Sequence, residues 1–203
     1  MTVEQDPPAA TRPGGRTARV REAVMRAAGD ALAEHGFEGL DLADVARRAD
    51  VGKTTVYRRW TNTTGLVADL LAHMAEESVS RSDTGSLRED LRTNARLVVR
   101  TLNDPRQGPL FKAVIAAATG DESAAEALHR FYAIRIAEWA GCVDAAIARG
   151  ELPPGTDTHE VIRAVSAPLY YRVLCSGDPL DEAVADRAAD AALAAALADA
   201  YAR

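Results

Sequence analysis

Apolar residues recur at three- and four-residue intervals along most of the chain, and nowhere do they alternate with the two-residue rhythm of a half-buried strand. The first amphipathic run carries Val20, Val24, Ala27, Ala28, Ala31 and Leu32 on one side and reaches Gly36, a residue suited to stopping a helix. Two short helices follow within residues 41–60, then a longer one that Asn62 can cap and that carries Leu66, Leu70, Leu71 and Met74. Beyond a polar turn at 80–85 the pattern predicts helices over 86–102 and 111–118, separated by a Pro- and Gly-bearing break at 103–109. A long helix capped by Asp121 runs to about Arg149, where Gly150 and Pro153-Pro154-Gly155 end it. Two last helices are expected at 157–175 and 181–200. The expected fold is all-α, and no internal repeat is visible.

Residues 41–60 contain the most informative spacing. Leu42, Val45, Ala46 and Ala49 share one face of the first short helix, and Asp41 precedes it as a cap. Val51 is an apolar plug in the turn, and Gly52 has no side chain to obstruct a sharp reversal before the second helix. In that helix Val56 and Trp60 face inward, and Thr54 and Arg58 lie nearly opposite Val56, flanked by Thr55 and Tyr57. This is the pattern of a helix-turn-helix with an outward face suited to a DNA major groove. Arg can bond guanine O6 and N7, Thr can reach a base edge or the thymine methyl, and Tyr can reach a phosphate. Lys53 and Arg59 add positive charge at either end of the helix. An ordinary α-hairpin with a solvated polar face shares the same spacing.

The formal net charge of −6 looks wrong for a DNA binder until it is divided by position. Residues 1–62 hold ten basic and nine acidic residues and carry +1, so residues 63–203 carry −7. Contact with DNA is expected through the amino-terminal end only. Residues 1–16, rich in Pro and Gly, read as a tail that cannot build a helix, with Arg12, Arg16, Arg19 and Arg21 at its end able to follow phosphates. Cys142 and Cys175, without CxxC spacing, read as buried free thiols. No secretory signal and no apolar run of membrane-spanning length occurs, so a cytoplasmic protein with no membrane partner is expected.

In the long helix ending near Arg149, Leu128, Phe131, Tyr132, Trp139, Cys142 and Ala146 form one apolar stripe with Arg135 at its centre. An unpaired buried charge is costly. Arg135 therefore either snorkels or pairs with an internal carboxylate, or it faces a cavity and meets a ligand. In the second case Tyr132, Arg135 and Trp139 border the cavity with Phe111 and Tyr170 from neighbouring helices, and the ligand is a largely hydrophobic small molecule. The last two helices have more apolar surface than a single neighbour can cover. Val161, Val165 and Leu169, with Val184, Ala188, Ala191 and Ala195, are the expected homodimer interface, doubling into a four-helix arrangement. His35, His73, His129 and His159 are isolated, no metal spacing or phosphate loop occurs, and Ser166 has no evident base. No catalytic residues, metal or cofactor are expected, and an enzyme is not.

Residues 19–71 resemble the amino-terminal DNA-binding domain of tetracycline-repressor-type (TetR family) regulators. The matching residues are Ala27-Ala28 followed by Leu32, Gly36-Phe37, Val45-Ala46, Ala49-Asp50-Val51, Val56-Tyr57, Trp60 at the family's usual Phe, and Leu66. Three positions depart: Gly52 for the usual Ser, Asp41 for Thr or Ser, and Thr63 for a Lys that often touches the DNA backbone. The resemblance implies a tail over 1–16, a DNA-binding domain over 17–62 and a ligand-binding and dimerisation domain over 63–203. It also implies dimerisation through the last two helices and a small molecule held within the middle ones. The function expected is that of a ligand-responsive transcriptional repressor, released from a two-fold symmetric double-stranded operator by a small-molecule effector. An effector-independent regulator of the same fold is the alternative.

Overall fold

The computed structural model describes residues 13–202; the side chains of 13–16 are not among those described. Within it lie α1 (Pro13–His35), α2 (Leu42–Arg48), α3 (Lys53–Arg59), α4 (Thr63–Glu76), α5 (Leu87–Asn103), α6 (Gln107–Ala117), α7 (Glu122–Ala148), α8 (Thr158–Tyr171) and α9 (Glu182–Leu197), with a single π-helical turn, Arg172–Ser176, after α8. No strand forms among the described residues. One isolated antiparallel bridge, Thr156 to Ala202, pins the carboxy-terminal end beside the start of α8. Among the described residues no helix is long and apolar enough to cross a membrane.

The caps anticipated at Asp41, Asn62 and Asp121 are formed, and Asp157 and Asp181 add two more. Asp41, Asn62, Asp121, Asp157 and Asp181 each accept a backbone N–H three residues on, closing the first turns of α2, α4, α7, α8 and α9. Gly36 stops α1 with φ of +71°. Two boundaries differ from expectation. Residues 13–16, read as tail, form the first turn of α1, since Pro at a helix start lacks only an N–H that would be unpaired anyway; Arg12 and the rest of the tail lie outside the described residues. Helix α6 begins four residues earlier than expected. The Asp104 carboxylate accepts from the N–H groups of Arg106 and Gln107, and Pro109 falls within the first turn, where it breaks no helical bond.

Two apolar cores form, and their division does not follow the expected domain boundary. The first joins α1 to α4 with Leu110, Phe111 and Val114 of α6 and the amino-terminal part of α7, including Leu128 and Phe131. The second joins α5 and the carboxy-terminal part of α7 to α8 and α9. Helix α7 therefore spans both cores. Arg92 and Arg96 of α5 pair with Asp190 and Asp186 of α9 at 2.8 and 2.7 Å, fixing the register of these helices at the edge of the second core.

Candidate functional site

The turn between α2 and α3 is made by the end of α2. Asp50 takes the left-handed conformation (φ +53°), its N–H bonds to Arg47, and the N–H of Val51 bonds to Ala46. This is a Schellman closure, completed by Val51 packing on the first core. The reversal thus belongs to Asp50, a residue that tolerates αL because its short polar side chain can bond locally. Gly52, expected to supply it, is extended (φ −61°, ψ 134°) and serves as the N-cap of α3 without a side-chain bond.

Helix α3 is seated by Val56, with no exposed surface, and by Trp60 at its end. The Trp60 indole donates to Asp69 of α4 at 3.2 Å, and the same carboxylate accepts from Arg21 of α1 at 2.7 Å. Three helices are thereby tied through one group. Burial alone would raise the Asp69 pKa; the bond and charge of Arg21, with help from Arg59 and Trp60, outweigh it and hold the carboxyl below its ordinary value. Arg48 of α2 reaches Glu34 of α1 and Asp44 of its own helix, so it fastens α2 to α1. Arg21 and Arg48 are structural; Arg21 is not the free phosphate contact that the sequence allowed.

Lys53, Thr54, Tyr57, Arg58 and Arg59 are exposed, and Thr55 and Thr63 are half-buried at the edges of the same surface. Arg59 leans over the Trp60 ring, 5.1 Å from its centroid and 3.8 Å from Asp69. Among the described residues, Lys53, Tyr57 and Arg58 have no ion-pair partner, which leaves a phenol and two cations presented by one short helix.

The second feature is a cavity of about 630 Å³ between the two cores. Its wall includes Met25 of α1 and Leu70 of α4 on one side, with Asn94 of α5 and Ile162 of α8 on the other. Phe111, Tyr132, Arg135, Trp139 and Tyr170 all border it. Four aromatic rings run in sequence along the wall: Phe111 to Phe131 at 5.3 Å, Phe131 to Tyr132 at 5.3 Å, and Tyr132 edge-on to Tyr170 at 5.7 Å. Burial raises the pKa of both phenols, so they are neutral hydrogen-bonding groups at physiological pH. Half-buried Arg135 donates to the Val79 carbonyl at 2.8 Å. No carboxylate lies within salt-bridge distance of it among the described residues, although Glu138 is near enough to oppose the lowering of its pKa by burial.

The residues expected at a dimer interface divide between the protomer core and its surface. Val161, Val165 and Leu169 have no exposed surface, and Val184 and Ala188 are also buried, all within the protomer's second core. Helix α5 lies against both α8 and α9 and takes up the surface that the sequence assigned to a second subunit. Ala191 is exposed and Ala195 half-buried. The apolar positions left outward are Ala167, Pro168 and Tyr171 on α8, with Ala183, Ala191, Ala194 and Leu197 on α9. Tyr171 is 63% exposed. The small size of the alanines and the charges interspersed among them concealed this face in the sequence. Cys175, expected to be buried, is exposed in the π-helical turn.

A helix-turn-helix with an open cationic face, mounted on a helical body that holds a partly open cavity, defines a DNA-binding regulator. Comparison with known proteins gives the same class. Residues 24–70 match the family described as bacterial regulatory proteins, tetR family, and residues 81–192 match the tetracyclin repressor-like carboxy-terminal domain. The uncharacterized HTH-type transcriptional regulator YdeS of Bacillus subtilis is 33% identical over 162 residues, covering 79% of this chain and 81% of that protein. The DNA-binding transcriptional repressor TetR of Mycobacteroides abscessus is 31% identical over 170 residues, covering 83% and 88%. The crystal structure of the TetR family transcription regulator SCO0332 superposes with a TM-score of 0.72 at 28% identity, over 87% of this chain and 97% of that one. The chain belongs to the TetR family of helix-turn-helix transcriptional regulators.

Proposed function

We propose that this regulator is a repressor that binds a two-fold symmetric operator as a homodimer and releases it when a small hydrophobic molecule occupies the cavity. The observation that carries the reading is the cavity's position: its wall takes residues from both cores, so an occupant touches the DNA-binding half and the carboxy-terminal half at once. A ligand shifts an equilibrium between two conformers only by its difference in affinity for them. A site on the seam between two packed bodies is where such a difference arises. The lack of a carboxylate partner for Arg135 supports a ligand with one anionic or strongly accepting group.

Base reading is assigned to Thr54, Thr55 and Arg58, and phosphate contact to Lys53, Tyr57, Arg59 and Thr63. The dimer is assigned to the outward faces of α8 and α9 about Tyr171 and Ala194. The test begins with operator DNA selected from a random pool by the purified protein. Its complex should weaken steeply with salt, and a hydrophobic compound that binds the free protein should release it. Specific binding that no cavity-bound compound alters would favour an effector-independent regulator instead.

A further inference from the structure

Within the cavity wall, Asn94 and Trp139 are 5% and 2% exposed, and the Asn94 Oδ1 and Trp139 Nε1 atoms have no hydrogen-bond partner. The Tyr132 hydroxyl on the same wall interacts with that of Tyr170, which leaves Asn94 and Trp139 as the orphan pair. Buried polar groups are ordinarily paired, because an orphan forfeits its bonds to water. Away from the cavity one further buried atom among the described residues, the Ser82 Oγ, has no partner, whereas each helix beginning with Asp or Asn at its cap pairs that side chain and the Trp60 indole finds Asp69. Concentration of the exceptions around one cavity points to an external partner.

The two inner groups stand on neighbouring helices. The N–H of Leu87 on α5 bonds to Glu151 just beyond α7, and Asp90 lies near enough to Cys142 to raise the pKa of its thiol. These pairs show α5 and α7 running antiparallel, and Asn94 and Trp139 line the same cavity from these two helices. An indole N–H only donates, whereas a carboxamide donates and accepts. Their complement is an acceptor beside a donor, carried on an uncharged edge. The four aromatic rings along the wall provide flat apolar surface for the rest of such a molecule.

We propose that the inner end of the cavity recognises a neutral, planar, mainly aromatic molecule through a carbonyl acceptor flanked by an N–H or O–H donor, such as a lactam or hydroxy-ketone edge. Trp139 donates to the carbonyl, and Asn94 accepts from the adjacent donor. This rests on the reading of the cavity as the effector site and narrows it: the anchoring contact is the neutral pair at the inner end, and Arg135 near Val79 is secondary. Water can occupy the two positions in the free protein, and a ligand that replaces both bonds displaces it without leaving either group unpaired.

Three tricyclic probes of nearly one shape test the assignment: phenanthrene, phenanthridinone, which adds a lactam edge, and phenanthrene carboxylate, which adds a negative charge. Calorimetric titration of the full-length protein should rank phenanthridinone above both others by about tenfold or more, which is about 1.4 kcal/mol. Trp139→Phe keeps an aromatic ring at the wall and removes the N–H, and Asn94→Leu removes the amide. Each should abolish the preference for phenanthridinone over phenanthrene, and helical circular dichroism with cooperative thermal unfolding checks that each variant is folded. Equal binding of all three probes, or preference for the carboxylate with Trp139→Phe indistinguishable from the parent, overturns the neutral-edge assignment and leaves the effector site standing. Failure of every probe to bind, at concentrations approaching their solubility, overturns both.

Discussion

Arg106, at the head of α6, forms a 2.5 Å ion pair with Asp30 on α1 and donates a second bond to the α1 carbonyl of Arg26 at 2.8 Å. Arg106 also borders the cavity. The contact therefore joins the helix that carries the DNA-binding half to one that an occupant of the cavity would touch.

Because both partners are about half exposed, the pair itself adds little stability, about 0.2 to 1 kcal/mol. A double-mutant cycle with Arg106→Ala and Asp30→Ala should return a coupling energy in that range from chemical denaturation. The effect on communication should be larger than the effect on stability: the single variants should keep operator affinity but require more of a cavity-bound compound for release. Normal release by both would remove this contact from the path.

At the recognition surface, Arg58→Ala should weaken binding to the selected operator by about 1 to 3 kcal/mol and relax preference at the bases it reads. Tyr57→Phe should weaken binding more uniformly across sequences. Competition shift assays against point-substituted operators separate the two effects. Unchanged affinity and preference in both variants would place the docking face elsewhere.

Asp69 predicts an acid-sensitive DNA-binding half. Its folded pKa is depressed, so the stability it contributes is present above the ordinary carboxylate value and is lost as pH falls through the folded value. Thermal unfolding between pH 6 and pH 3, a window set around the ordinary carboxylate value of about 3.9, should show this loss in the parent protein. Asp69→Asn should be less stable at neutral pH by about 1 to 3 kcal/mol, through the weakened bonds to Arg21 and Trp60, and should show a shallower acid decline. Parallel pH profiles would deny Asp69 this role.

For the dimer, Tyr171→Glu or Ala194→Glu places a charge on the outward faces of α8 and α9 without entering the protomer core. Either should shift sedimentation toward monomer at micromolar concentration with helical circular dichroism retained. Val165→Ala should instead act on protomer stability, at a cost of about 1 to 3 kcal/mol, since Val165 has no exposed surface. The reverse pattern would restore the interface first read from the sequence.

Cys142 offers a check on the second core. Burial, helped by the nearby Asp90 charge, pushes its thiol up to about 12. In a Cys175→Ser background, native protein at pH 8 should react with a disulfide reagent only as fast as it opens, and denatured protein should react fully at once. Rapid labelling of the folded form would show that this part of α7 is not packed as described.

The helices themselves were legible because each is specified locally. Periodicity places one face inward, and Asp41, Asn62, Asp121, Asp157 and Asp181 close first turns with atoms only three residues away. The outward set on α3 follows from the same geometry, since seating Val56 and Trp60 turns Tyr57 and Arg58 to solvent. Even here one local detail escaped: the left-handed residue of the turn is Asp50, while composition favoured Gly52, because either residue tolerates the conformation and only the bonds from residues 50 and 51 back to α2 choose between them.

By itself, then, the sequence determined the all-helical class, the helix-turn-helix and the polar face it presents, all properties of residues close together along the chain. Only the tertiary structure decided which apolar faces meet. An amphipathic stripe states that Val161, Val165 and Leu169 must be covered but not by what, and α5, α7 and α9 of the same protomer form the core that buries them, leaving Tyr171 and its neighbours outward. The cavity was decided in the same way, because a void is a failure of distant helices to fill space between them. Phe111, Arg135 and Tyr170 share a wall through the crossing of α6, α7 and α8, and the orphan polar atoms of Asn94 and Trp139 acquire meaning only once α5 and α7 are laid side by side.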